Sequence, residues 1–273
     1  MPELPEVETV RRFLEERACG VHIERLCVLF PGCIAGLAPD EFARRLRGRR
    51  IGGWRRLGKY LIAELDDGSR FSLHLRMTGR LRCVPDERSA QGPHTRLIIT
   101  FKEGGALQFD DPRKFGRLRW YHDEEALSSS LRLGPDPLSA SFGPEALQAA
   151  AAGRKRPVKS LLLDQSLVAG VGNIYADEAL FAAGIRPERA SQSLSPAEVR
   201  ALWQSLRRVL QEGIEHGGTS FRDYVGGDGR PGRFQERLKV YGRKGMPCTV
   251  CQQTLAAVRI GGRTSVFCPA CQR

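Results

Sequence analysis

No stretch of the chain approaches the eighteen or so apolar residues that a membrane-spanning helix requires, which excludes that class of protein. The opening residues also lack positive charge. Pro2 to Thr9 hold three acids and no lysine or arginine, where a secretory leader would be cationic. The expectation is a soluble, cytoplasmic protein with no membrane partner. Internal repeats and long low-complexity segments are absent too, which argues against solenoid and disordered architectures. Acidic residues are in deficit, 31 against 43 lysines and arginines, leaving a net charge of +12 that calls for a polyanionic partner.

The surplus charge is concentrated in two places. Phe42 to Ala63 carries eight cations and no acid, and Glu236 to Arg273 carries seven cations and one acid. Basic stretches bind nucleic acid of any sequence by displacing counterions. Either stretch alone could be a solvated face, but two of them in one chain favour nucleic acid. A membrane surface fits less well, because the cations lack an amphipathic helix with aromatic anchors.

Eight cysteines are present. Cys248-x2-Cys251 and Cys268-x2-Cys271 stand sixteen residues apart, the spacing of a four-cysteine zinc ribbon. Four thiolates fill a tetrahedral shell and leave no position for water, so one structural Zn2+ is expected there. Two disulfides are the alternative, and without a leader to an oxidising compartment they are disfavoured. Cys19, Cys27, Cys33 and Cys83 show no ligand spacing.

The N-terminus offers an unusual nucleophile. Methionine aminopeptidase removes Met1 ahead of a small residue, leaving Pro2 with a free secondary amine beside the Glu3 carboxylate. An amine that attacks a sugar carbon yields an iminium, which activates neighbouring bonds for elimination. An α-amine titrates near ~8 and a lysine near ~10.4, so far more of the α-amine is neutral at pH 7. The ordinary alternative is a proline-led, acidic helix start.

Residues Pro5 to Ala18 read as a helix with Val7, Val10, Leu14 and Ala18 on one face and Gly20 as its stop. From Val21 to about Tyr121 the pattern is short alternating strands, among them 60–65, 71–75, 96–102, 106–110 and 117–121. The expectation is an antiparallel sandwich with the N-terminal helix at one edge. After Gly134-Pro135-Asp136-Pro137 the pattern becomes helical, with helices over 147–152, 157–165, 174–183 and 196–212. A glycine-rich loop, Gly217 to Gly232, and the cysteine hairpin follow. The fold class is therefore α+β, in three parts: 1–133, 134–235 and 236–273.

Several blocks occur together in one known family: PELPEVETVRR, RRLGKYL, HLRMTG, FDDPRKFGRL, LGPDPL, LLLDQSLVAGVGNIYADEALF, GRFQERLKVYGRKGMPC and GRTSVFCPACQ. The chain closely resembles the formamidopyrimidine-DNA glycosylases, bacterial enzymes that excise 8-oxoguanine and ring-opened purines and then cleave the strand. The related endonuclease VIII branch, which prefers oxidised pyrimidines, typically opens PEGPE, so PELPE favours the purine branch.

The resemblance implies an N-terminal β-sandwich with flanking helices, a helix–two-turn–helix domain and a zinc hairpin. It implies a monomer acting on double-stranded DNA with oxidised purines, associated with the nucleoid through that DNA. Pro2 would be the nucleophile and Glu3 its acid–base partner, with Glu6 holding the turn. Lys59 would contact phosphate and assist β-elimination, and Arg263 would grip a phosphate and assist δ-elimination. Asn173 would present a helix start to phosphate, with Arg154 adding a contact or remaining solvated. Met77, Arg113 and Phe115 would fill the space left by a flipped nucleotide, and His74 and His94 would face DNA. The loop Gly217–Gly232, with Gly226-Gly227-Asp228-Gly229, would read the flipped base. The chain departs from its relatives after Cys251, where Gln252-Gln253 replaces a glycine turn. Two other functions stay open at this point: the same chemistry on oxidised pyrimidines, and a zinc-ribbon DNA-binding protein without catalysis.

Overall fold

A computed structural model describes residues 1–86, 91–220 and 231–273, and the chain divides into two compact units. Unit 1 is Met1–Arg132 with Gly217–Arg233, and unit 2 is Leu133–His216 with Phe234–Arg273.

Unit 1 opens with α1 (Leu4–Ala18), which is started by Pro5 and by a capping box between Glu3 and Glu6. Val7, Val10, Leu14 and Ala18 are buried at helical spacing. There follow β1 (Ile23–Val28), β2 (Ile34–Ala35), α2 (Pro39–Leu46), β3 (Ile51–Leu57), β4 (Tyr60–Leu65), β5 (Arg70–His74), β6 (Arg80–Val84), β7 (Thr95–Phe101), β8 (Ala106–Asp110), β9 (Arg117–Tyr121) and α3 (Glu124–Leu131). The strands form two sheets, ordered β1-β7-β8-β6 and β2-β9-β5-β4-β3. Every pairing is antiparallel except the short parallel contact of β2 with β9. Apolar residues from both sheets form the core, with Phe71 meeting Phe42 and Trp54 edge-on at 6.3 and 5.7 Å. Helix α1 packs on β3 and β6, an edge strand of each sheet.

The region read as strands throughout contains α2, a correction with a local cause. Pro39 opens that helix, Asp40 and Glu41 sit at its positive end, and Arg44 and Arg45 sit at its negative end. Phe42 and Leu46, four apart, bury its one apolar face. Helix α3 was also missed, although Asp123 caps it by accepting the Ala126 N–H at 2.8 Å.

Unit 2 contains α4 (Pro144–Ala151), α5 (Val158–Leu162), α6 (Asn173–Ala182), α7 (Pro196–Glu215) and a hairpin of β10 (Ala256–Ile260) with β11 (Arg263–Phe267). Helix α5 is shorter than the 157–165 expected. Asp164 accepts the Ser166 N–H and hydroxyl at 3.0 and 2.6 Å, closing a turn that ends it. Helix α7 starts on a Ser195–Glu198 capping box and buries the expected Leu202, Leu206, Val209 and Leu210. Ile174 through Leu180 of α6 are all buried, so this helix is a core element. Among the described residues no helix is long and apolar enough to cross a membrane.

Candidate functional site

Pro2 is buried and precedes the first turn of α1, whose dipole places partial positive charge at that end. With Met1 attached the Pro2 nitrogen is an amide; it stands in for the amine that Met1 removal would free. Glu3 is the helix cap and is 3% exposed. Its backbone N–H donates to Glu6 Oε2 at 2.8 Å, and Glu6 Oε1 accepts the Thr219 N–H at 2.6 Å. Gly218, at φ +82°, lies so close to Glu6 that an added Cβ would come within 2.8 Å of it and displace that side chain. Glu6 therefore ties the N-terminal turn to Gly218 and Thr219. The Gly232 N–H donates to Ser220 Oγ at 2.9 Å. Phe221–Arg230, including Gly226-Gly227-Asp228-Gly229, lie outside the described residues.

Lys59 sits in the two-residue turn joining β3 and β4, with Gly58 at φ +56° and Leu57 paired to Tyr60. It is 7% exposed, a rare environment for a lysine. Arg56 ties this turn to α1: its Nε lies 3.1 Å from Glu8 Oε2, and its NH1 donates to Gly58 O at 3.3 Å. Burial works against the charge on Glu8, but Arg11, Arg56 and Arg12 hold its carboxyl below the usual value.

His74, at the end of β5, is buried, and its Nδ1 accepts the Arg76 N–H at 2.9 Å, which leaves the ring proton on Nε2. Burial, with Arg76 and Lys59 nearby, pushes its pKa down to about 3. His74 is thus a neutral donor at physiological pH, without an imidazolium charge to offer phosphate. His94 is exposed beside Arg80, Arg82 and Asp110. Met77 and Phe115 are 39% and 47% exposed, and the Arg113 guanidinium stacks 4.8 Å from the Phe115 ring. Large apolar side chains left in water on two adjacent loops suit an intercalating surface better than a core.

In unit 2, Asn173 is the first residue of α6, and its Nδ2 donates to Thr264 O at 3.1 Å. Arg263 is exposed beside the Gly261-Gly262 turn of the β10–β11 hairpin. Arg154 is half-buried and turns back on α4, where its NH1 donates to Ala150 O at 2.8 Å.

The sequence reading missed the group that fixes this hairpin. Lys159 and Asp177 form a fully buried ion pair at 2.7 Å. Asp177 also accepts the Ser265 hydroxyl at 2.6 Å and the Val266 N–H at 3.2 Å. Lys159 Nζ donates at 3.3 Å to Thr264 O, the carbonyl that Asn173 shares. Burial pushes the Asp177 carboxyl up, while Lys159 and Ser265 pull it down. Glu178 adds a second clamp by accepting the N–H groups of Lys239, Val240 and Tyr241 at 2.8–2.9 Å. The available signal was charge set among the apolar residues of short helices, Val158-Lys159 and Ala176-Asp177. Asp177→Asn takes the carboxylate away from a buried lysine and is expected to cost about 3–5 kcal/mol. Denaturant unfolding followed by hydrogen exchange at Thr264–Val266 measures it; an unchanged midpoint there would contradict the clamp.

Cys248, Cys251, Cys268 and Cys271 bring their sulfurs within 4.8 Å of one another, with 3.4 Å between Cys251 and Cys268 and 4.0 Å between Cys248 and Cys271. Tetrahedral ligands at ~2.3 Å from a metal stand about 3.8 Å apart, so the cluster fits one ion. Gln252 adopts φ +64°, the left-handed geometry that a glycine would supply at less strain. The turn closes there despite the substitution.

Comparison with known proteins bears on both units. The model of the formamidopyrimidine-DNA glycosylase N-terminal domain matches residues 1–118, and that of the H2TH domain of the same enzyme matches 133–225. The chain is 46% identical over 274 residues to the formamidopyrimidine-DNA glycosylase of Desulfitobacterium hafniense, covering 100% of both chains. It is 50% identical over 261 residues to that of Moorella thermoacetica, covering 95% of each. Among solved structures it is similar to a Lactococcus lactis FPG variant in complex with DNA containing Fapy-dG (TM-score 0.93, 35% identity, 100% of each chain). It is similar also to the L. lactis protein with DNA containing an abasic site (TM-score 0.92, 35% identity, 99% of each chain).

Proposed function

The chain belongs to the formamidopyrimidine-DNA glycosylase family, and we propose that it removes oxidised purines from duplex DNA and then cleaves the strand at the same site. The observation that carries this reading is that Pro2 and the Glu3 carboxylate are buried together at the positive end of α1.

With Met1 removed, the Pro2 lone pair attacks C1′ of a flipped 8-oxoguanine or formamidopyrimidine nucleotide, the base leaves with its bonding pair, and the proton lost from the Pro2 nitrogen neutralises the departing base. Glu3 delivers a proton to the sugar ring oxygen as the ring opens, giving an iminium between Pro2 N and C1′. Loss of a C2′ proton expels the 3′ phosphate, and a second elimination expels the 5′ phosphate. Lys59 supports the first elimination and Arg263 the second. Met77, Arg113 and Phe115 occupy the vacated stack, Asn173 contacts phosphate, and His74 and His94 face the duplex. In this division 1–133 performs the chemistry, while 134–235 and 236–273 hold the DNA. Zn2+ held by Cys248, Cys251, Cys268 and Cys271 would shape the hairpin and take no chemical part. The protein acts as a monomer in the cytoplasm, on the nucleoid.

Reduction with borohydride during turnover on an 8-oxoguanine:cytosine duplex tests the reading, since it converts the iminium to a stable amine cross-link. A cross-link is expected on the 8-oxoguanine duplex and a weaker one on thymine glycol; the reverse order would move the substrate to pyrimidines.

Affinity is expected to fall linearly and steeply with log salt, because the basic stretches neutralise several phosphates. Arg263→Ala is expected to weaken binding and to make the slope shallower by about one or less. An affinity indifferent to salt between dilute and physiological buffer would rule out a phosphate-dominated interface.

A further inference from the structure

The two loops carrying Met77, Arg113 and Phe115 share one buried foundation. The β5–β6 loop exposes Arg76 and Met77 and returns to the interior at Thr78 and Gly79. The β8–β9 loop exposes Pro112 to Phe115 between buried Asp111 and Gly116. Asp111, 1% exposed, accepts the Gly116 N–H at 2.7 Å through one carboxylate oxygen and the Thr78 hydroxyl through the other. Thr78 Oγ1 in turn accepts the Arg113 N–H at 3.3 Å. Asp111 is itself fixed from behind. Arg96 Nε donates to its carbonyl at 2.8 Å, and its N–H donates to His94 O at 2.9 Å.

Packing repeats the pattern. Gly79 and Gly116 close on the same buried ring, that of Phe109, where an added Cβ would come within 2.9 and 2.3 Å of ring carbons. Each loop also holds one residue in the left-handed region, Arg76 at φ +56° and Lys114 at φ +62°, directly beside an exposed probe residue. Such conformations persist where the surroundings over-determine them.

We propose that Thr78 and Asp111 brace the two loops into one rigid probe, so that Met77, Arg113 and Phe115 enter DNA as a unit. Both are positioning residues, 7% and 1% exposed. Two independent loops would each lose conformational freedom on insertion, whereas a braced pair has lost it on folding. The inference rests on the reading that these three residues fill the vacated stack, and the test separates the two.

The probe is an 8-oxoguanine:cytosine duplex with 2-aminopurine beside the lesion, whose fluorescence rises as its neighbours unstack. Met77→Ala and Phe115→Ala are each expected to lower that rise. Thr78→Val is expected to lower it about as far as both together and to raise Kd about tenfold, since it strips a partner from a buried carboxylate and an amide. Thr78→Ser, which restores the hydroxyl, is expected to return both values to wild type. A wild-type signal from Thr78→Val, with Met77→Ala and Phe115→Ala lowered, overturns the brace and leaves the stack-filling reading standing. A Thr78→Ser protein as weak as Thr78→Val also overturns it, because the hydroxyl is then not the cause. If neither Met77→Ala nor Phe115→Ala changes the signal, stack filling is wrong and the brace falls with it. Should Thr78→Val not fold, Asp111→Asn takes its place, and a wild-type signal from it overturns the brace.

Discussion

Protein that keeps Met1, or carries an uncleaved N-terminal tag, is expected to bind an 8-oxoguanine duplex yet yield no borohydride cross-link. Acylation turns the Pro2 amine into an amide whose lone pair is delocalised and cannot attack carbon. A free α-amine has roughly two orders of magnitude more neutral form at pH 7 than a lysine. Proline's extra basicity opposes this, and the positive end of α1 favours the uncharged amine. Pro2→Gly is expected to retain partial activity, since a primary amine freed by Met1 removal still forms an imine. Glu3→Gln keeps the buried shape but cannot shuttle a proton, so base excision is expected to drop by about 10²–10⁴ while lesion binding persists. Lys59→Ala removes an assisting charge and is expected to stay within roughly tenfold of wild type. Mass spectrometry of the trapped peptide locates the bond. A cross-link on Lys59 or another lysine, with tagged protein as active as untagged, would leave Pro2 an ordinary helix-leading proline.

What the sequence revealed depended on how local each cause is. Strands β4, β8 and β9 match their expected limits to the residue, because alternation and Asp-Gly or Gly-Gly turns are written within a few positions. The four cysteines were legible for the same reason. Helix α2 was not, since its arginines read as part of a basic stretch and only Phe42 and Leu46 mark its apolar face. Lys159 and Asp177 lie on different helices, and nothing along the chain pairs them; only the packing of α5 on α6 does. Arg154 shows the converse. A basic triplet read as a phosphate contact or a solvated group has its first guanidinium turned back on the Ala150 carbonyl at the end of α4. Thr78 and Asp111 lay inside the quoted blocks HLRMTG and FDDPRKFGRL without a role, because a brace between loops is a tertiary fact.

Removing the metal is expected to abolish DNA binding while the sheets of unit 1 stay folded. The two cores differ greatly in means. The sandwich is built on a broad cluster that includes Phe42, Trp54, Phe71, Ile99 and Phe109. The hairpin's own cluster is Val240, Cys248, Leu255, Val266 and Cys268, so two of its five buried members belong to the four-cysteine cluster that fits a metal ion. A module of that size has too little apolar surface to fold unaided, and metal binding supplies its folding free energy. Without the ion the cysteines take up protons and nothing ties the two Cys pairs together, so the β10–β11 ladder opens and Arg263 is no longer presented beside its Gly-Gly turn. The Lys159–Asp177 clamp does not rescue it, because its hydrogen bonds reach only Thr264, Ser265 and Val266. Chelation until metal analysis reads zero is expected to raise exchange rates at residues 256–267, leave β4 and β7 protected, and take lesion-duplex binding below detection. Unchanged affinity in the metal-free protein would refute the hairpin's part in binding, and loss of protection in β4 and β7 would show that the two units do not fold independently.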